Sequence, residues 1–129
     1  MNTRAFGKFG EQVAADHLAS LGYRITGRNV YVGHDEIDIL AENDTHILFT
    51  EVKTRREFPD HPDKYGRPAA AVTATKKKHL VTSASVWLHE HADEVCGRQP
   101  RIDVIEVYIS PADGSVLRVC HFENAVRKK

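Results

Sequence analysis

Cysteine is scarce: Cys96 and Cys120 are the only two in 129 residues, and neither belongs to a CxxC pair. A disulfide framework and a zinc ribbon are therefore excluded as the basis of the fold, and reduced thiols are expected. Long apolar runs are also missing, and no stretch approaches the roughly 20 residues that a bilayer-spanning helix needs, so no membrane partner is expected. The N-terminal MNTRAFGKFG has charged residues and glycines among its apolar ones. It lacks the apolar core of a secretory signal, which predicts a cytoplasmic protein. Net charge is absent: 18 Lys and Arg balance 18 Asp and Glu, which argues against a histone-like polycation. Without repeats, low-complexity tracts or Ser/Gly linkers, 1–129 is expected to form one domain, large enough to hold together without disulfide or metal staples.

The charges that are there are unevenly spread. Met1 to Thr50 carries 4 basic and 7 acidic residues, whereas Glu51 to Leu80 carries 8 basic and 4 acidic. An acidic cluster followed by a basic one suits a metal near a polyanion, and it equally suits a solvated face. Phe6, Phe9, Val13, Leu18 and Leu21 recur at helical spacing before Gly22, which predicts a helix from Thr3 to Leu21 with a left-handed cap. Glu11 lies off that stripe, free to face something other than the core.

Period-two patterns then predict strands at Tyr23–Ile25, Glu36–Glu42 and His46–Thr54, the last two joined as an antiparallel hairpin through Asn43-Asp44-Thr45. A second helix is expected from Thr73, as its cap, to His91, with Leu80, Ala84, Trp87, Leu88 and His91 on one face. Strands at Arg101–Ile109 and Val116–Phe122 complete the order αβββαββ, an α/β sandwich with helices covering a mixed five-stranded sheet. Between them, Arg55 to Pro68, with three prolines and many charges, reads as a loop suited to a mobile flap.

Glu51 and Lys53 are two apart on a predicted strand, so they share a face while Val52 points the other way. Asp38 joins that face if paired hairpin positions sum to an odd number, and leaves it if they sum to an even one. Two converging carboxylates repel, and one takes up a proton unless a divalent cation removes the conflict. Mg²⁺, which needs only one or two carboxylates besides waters and a phosphate oxygen, fits so short a set of ligands.

The spaced Asp38…Glu51-Val52-Lys53 resembles the signature of the PD-(D/E)XK nuclease superfamily. The wider chain is similar to the YraN-like family of small bacterial proteins over essentially its whole length. The segments that carry this resemblance are Phe6-Gly7-x-x-Gly10-Glu11 with Ala14-Ala15, Glu36-Ile37-Asp38, Phe49 to Arg55, Tyr65-Gly66-x-Pro68 with Ala71-Val72-Thr73-x-x-Lys76, Arg101 to Val104, and His121-x-x-Asn124-Ala125. The resemblance implies a restriction-endonuclease-like fold, similar to archaeal Holliday-junction resolvases, and predicted endonuclease activity. It implies Asp38 and Glu51 as ligands of Mg²⁺ or Mn²⁺, with the Val52 carbonyl as an extra ligand. Lys53 would be the catalytic lysine and Glu11 a further acidic residue from helix one. Ile37 stands where the superfamily often has proline, and Asp35 where the family usually has glycine, adding a carboxylate near the site.

Arg55, Lys76 and Lys77 are candidates for gripping DNA phosphates, although a lysine run that opens a helix is often only solvated. Glu51 and Lys53 also suit an exposed ion pair on a sheet surface. His89-Glu90-His91 is not a zincin motif, because position 93 is Asp93. The expected function is metal-dependent hydrolysis of phosphodiester bonds in DNA, with branched or single-stranded substrates in view. The alternative is a non-catalytic DNA-binding or partner-docking module that keeps the fold. A homodimer follows only by analogy with the resolvases.

Overall fold

The first helix begins where Asn2 accepts a hydrogen bond from the Ala5 N–H at 2.8 Å, satisfying one of the donors that a helix N-terminus leaves open. In the computed structural model, which describes residues 2–57 and 74–125, this helix, α1, spans Thr3–Ser20. It ends as expected at Gly22, whose φ of +95° only glycine adopts without cost. Strands β1 (Arg24–Val32), β2 (Asp35–Glu42) and β3 (His46–Arg56) follow, then α2 (Ala74–Glu90), the single turn α3 (Ala92–Val95), β4 (Gln99–Ile109) and β5 (Val116–Phe122). Apart from that extra turn, the order is the expected αβββαββ. Two bounds differ: β1 is much longer than Tyr23–Ile25, and β3 runs through Arg56, so the first two residues of the expected loop are strand. The rest of that loop beyond Glu57, and the Thr73 cap, lie outside the described residues.

The five strands lie in sequence order in one sheet. All neighbours are antiparallel except β3 and β4, whose parallel pairing runs from His46↔Gln99 to Arg56↔Ile109 and requires the crossover that contains α2. The β2–β3 turn is held by Asn43, whose Oδ1 accepts from the N–H groups of Thr45 (3.0 Å) and His46 (2.8 Å). The turn sets the hairpin register, with Ile39↔Thr50, Leu40↔Phe49 and Glu42↔Ile47 paired. No helix among the described residues is long and apolar enough to cross a membrane.

Helices cover both faces. Against α1 pack Ile39, Ala41, Leu48, Val52, Ile105, Val107 and Ile109; against α2 pack Ile37, Leu40, Ile47, Phe49 and Ile102. The buried face of α2 is the expected one, with Leu80, Ala84 and Trp87 inside and His91 stacked on Trp87. The buried face of α1 is not. Gly10, Ala14, Ala15 and Leu18 are inside, Phe6, Phe9 and Val13 only flank them, and Leu21 is 51% exposed. At Gly10 the helix lies too close to β3 to admit a Cβ, whereas Leu18, one of the expected residues, is buried in the core.

One charged group is fully enclosed on the α1 side. Asp103 accepts Arg101 Nε at 2.8 Å and Nη2 at 2.9 Å, His121 Nε2 at 2.7 Å and the Asn124 N–H at 3.0 Å. Burial alone would raise its pKa, but the bonds from His121 and Arg101 outweigh that and hold it below the usual carboxylate value. Arg101 also reaches the Tyr23 hydroxyl at 3.0 Å, and His121 Nδ1 lies 3.1 Å from His17 Nε2, so the network ties β4 and β5 to α1. Asp103→Ala strands a largely buried guanidinium and is expected to cost about 3–5 kcal/mol. Urea unfolding would measure this, and a loss under 1 kcal/mol would show that the network is solvated.

Candidate functional site

Asp38 occupies a fault in the sheet. The β1–β2 ladder passes from Arg28↔Ile39 to Val30↔Ile37 without it, and the β2–β3 ladder stops at Ile39↔Thr50, one residue short of it. Beyond that point β2 stays with β1 while β3 stays with β4, so the two strands of the hairpin are no longer paired with each other. The fault also explains why Ile37 packs under α2 and Ile39 under α1, although residues two apart on a regular strand share a face. Opposite Asp38, Asn29 has a φ of +50°, a left-handed conformation that Asn tolerates better than most residues.

The hairpin register is odd as far as Ile39↔Thr50, and beyond the end of that ladder Asp38 lies near enough to Glu51 for their charges to interact. Asp38 Oδ2 accepts the Val52 N–H at 2.8 Å. It is therefore the amide of Val52 that the structure sets against the acid. Burial first, and the neighbouring Glu51 carboxylate second, push Asp38 up to about 8; the Val52 N–H opposes this and the Glu11 charge adds to it. Burial and the Glu51 charge thus favour the protonated form of Asp38.

Two groups meet at Asp38. On one side, Glu11 of α1, Glu36 and Asp38 each offer a carboxylate oxygen within 4.8 Å of the others. Asn29 Nδ2 donates to Glu36 Oε1 at 2.6 Å and to Glu11 Oε1 at 3.2 Å. Tyr31, opposite Glu36 in the ladder and 71% exposed, has its phenol raised by a hydrogen bond to that carboxylate. On the other side, Glu51 is 3% exposed, with Oε1 3.8 Å from Lys53 Nζ and 3.3 Å from Lys76 Nζ. Its Oε2 is buried and accepts from no N–H group or hydroxyl, while the Glu51 carboxylate shares a hydrogen bond with Asp38 when Asp38 is protonated. Three convergent carboxylates, with the buried Glu51 carboxylate interacting with one of them, fit a hard divalent cation, which takes oxygen ligands and offsets their repulsion.

Of the expected site residues, Glu11, Asp38, Glu51, Lys53 and Lys76 are thus brought to one region. Arg55 is turned onto the fully buried Glu106, with Nε 3.8 Å from its Oε1, while the Tyr108 hydroxyl donates to Glu106 Oε2 at 3.1 Å. Lys77 is exposed near the start of α2. Asp35 faces α2 instead of the acidic group, 3.6 Å from His79 Nδ1 and accepting from the Ser83 hydroxyl at 3.4 Å. Glu36 and Asn29 were not expected in the site. Glu36 was detectable two residues before Asp38 on the same strand, whereas Asn29 carries no such signal.

The position of Glu11 depends on its neighbour. A Cβ on Gly10 would lie 1.8 Å from Thr54 Oγ1 and 2.7 Å from Thr54 Cβ, so α1 must back away from β3 to admit one. Gly10→Ala is expected to cost about 1–3 kcal/mol by overpacking and to weaken Mn²⁺ binding by carrying Glu11 outward. Chemical unfolding and Mn²⁺ titration check both effects, and unchanged values for both would mean that Thr54 yields freely.

The match to the model of Uncharacterised protein family UPF0102 covers residues 10–107, which include all four acids and both lysines. The chain belongs to that family. UPF0102 relatives include proteins of Caldicellulosiruptor saccharolyticus, 37% identical over 97% of this chain and 99% of the relative, and of Symbiobacterium thermophilum, 41% identical over 95% and 97%. Among solved structures, that of Pyrococcus furiosus SfsA in complex with Ca²⁺ is similar at a TM-score of 0.36 and 17% identity, over 95% of this chain and 64% of that one. The family resemblance read from the sequence therefore holds for this UPF0102 protein.

Proposed function

We propose that this UPF0102 protein is a metal-dependent endonuclease that hydrolyses phosphodiester bonds in DNA. The observation that carries the reading is the placement of Asp38 at the mouth of a split hairpin, joining a three-carboxylate group to the Glu51–Lys53–Lys76 group. Glu11, Glu36 and Asp38, with Glu51 alongside, would hold Mg²⁺ or Mn²⁺. The bound ion would supply Lewis acidity toward a phosphate oxygen and lower the pKa of a water.

The chain's own residues supply the rest. The Lys53 ammonium, leashed to Glu51 and 36% exposed, is placed to stabilise charge that develops on the phosphate or to orient the attacking water. Lys76 neutralises the other side of Glu51, and Lys77, exposed on the same helix, is free to meet a neighbouring phosphate. The resemblance to the PD-(D/E)XK superfamily supports DNA as the polymer and structured or single-stranded regions as the target.

The test is incubation with branched, flapped and single-stranded DNA in Mg²⁺ or Mn²⁺, comparing wild type with Lys53→Ala and Asp38→Ala. Cleavage that needs the ion and vanishes in both variants supports the reading; equal cleavage by all three proteins identifies a contaminant and removes it.

A further inference from the structure

We propose that Asn29 is a positioning residue of this centre: its side-chain amide bridges the Glu11 and Glu36 carboxylates and sets the spacing at which they, with Asp38, accept a divalent cation. The inference rests on the reading of the site as a metal centre. Glu11 comes from a helix and Glu36 from a strand, and nothing in the backbone ties the two carboxylates together. Left to themselves, two negative groups at this distance swing apart toward solvent. Asn29 prevents that, because one nitrogen donates to both, at 2.6 Å and 3.2 Å. An amide nitrogen carries two hydrogens and no charge, so it satisfies one oxygen of each acid and leaves the other to a ligand. A lysine at the same point would instead compete with the cation.

The backbone is shaped for this task. Asn29 adopts φ +50° at the point where the β1–β2 ladder skips Asp38. Asn is the residue that tolerates a left-handed φ and also presents a short amide. A regular strand would place position 29 in the ladder opposite Asp38 and direct its side chain according to the pleat. The left-handed turn instead aims it at the two glutamates.

The experiment uses Mn²⁺ alone, titrated calorimetrically into the full-length chain, with thermal melts of the metal-free proteins. Asn29→Gly keeps the left-handed backbone and removes the amide. It is expected to melt close to wild type without metal yet bind Mn²⁺ about tenfold more weakly, the usual scale for a group that orients ligands. Asn29→Asp keeps the shape and presents an oxygen where the donor was, so at pH 8 and low salt its metal-free melting temperature should fall several degrees below wild type. Equal Mn²⁺ affinity in wild type and Asn29→Gly overturns the inference and leaves the metal centre standing. So does a wild-type melting temperature for Asn29→Asp. Absence of Mn²⁺ binding by the wild type at millimolar concentration removes the metal reading and the inference with it.

Discussion

Lys53→Ala is expected to slow Mg²⁺- or Mn²⁺-supported cleavage on the order of 10²–10³-fold, the scale for losing one preorganised charge aimed at a transition state. The loss should fall on kcat, because the ammonium lies 3.8 Å from Glu51 and would meet charge only as it develops. Asp38→Ala should cost at least as much, since that one carboxylate links the two halves of the site. Lys77→Ala, by contrast, removes an exposed cation and should raise KM with kcat nearly unchanged. Single-turnover rates on the best substrate would separate these outcomes. A Lys53→Ala protein that loses only affinity would make Lys53 a phosphate grip and not part of the chemistry.

Mn²⁺ affinity should climb steeply with pH. Asp38 is pushed up to about 8 in the folded chain, so between its ordinary value near 4 and about 8 the folded state holds a proton that the unfolded state has released. Two consequences follow with opposite signs. Metal-free stability falls as pH rises through that window, because the fold increasingly confines a charge it disfavours. Metal affinity rises over the same window, about tenfold per pH unit well below that pKa and roughly 50-fold from pH 6 to pH 8, because a ligand oxygen must first lose its proton. Titrations at pH 6, 7 and 8 in two buffers of different ionisation enthalpy would give the affinity and the protons released. Asp38→Asn should flatten the profile. A pH-independent wild-type affinity would take Asp38 out of the ligand set.

Much of this architecture was legible in the residues. Strands β2, β4 and β5 and helix α2 fall within a few residues of their periodicities, because each buries a face and the apolar spacing reports it. Only Leu18 of the large apolar residues on α1 is fully buried, because Gly10, Ala14 and Ala15, whose small side chains give no periodic apolar signal, face the sheet and Gly10 lies against Thr54. The parity of the hairpin was open in the sequence, since Asn43-Asp44-Thr45 suits more than one turn. It was settled by the bonds that Asn43 Oδ1 accepts from Thr45 and His46.

The spacing of Glu51 and Lys53 puts them on one face and the resemblance points to Glu11, while Glu36 enters only as part of the Glu36-Ile37-Asp38 segment, with no role attached. Asn29 could not be found at all. Its role comes from a break in two ladders, and pairing irregularities leave no periodic trace.

The parallel contact between β3 and β4 gives the site an order of assembly. Every carboxylate in it, and Asn29, lies on elements within Thr3–Arg56, joined by a helix, two antiparallel ladders and short turns. Lys76 comes from the crossover that must close over the sheet before β4 can pair, a contact between distant parts of the chain and therefore slow to form. The carboxylates can thus be gathered by local pairing alone, whereas their α2 counter-charge depends on the long crossover, and until that closes ambient cations are the mobile neutralisers available to them.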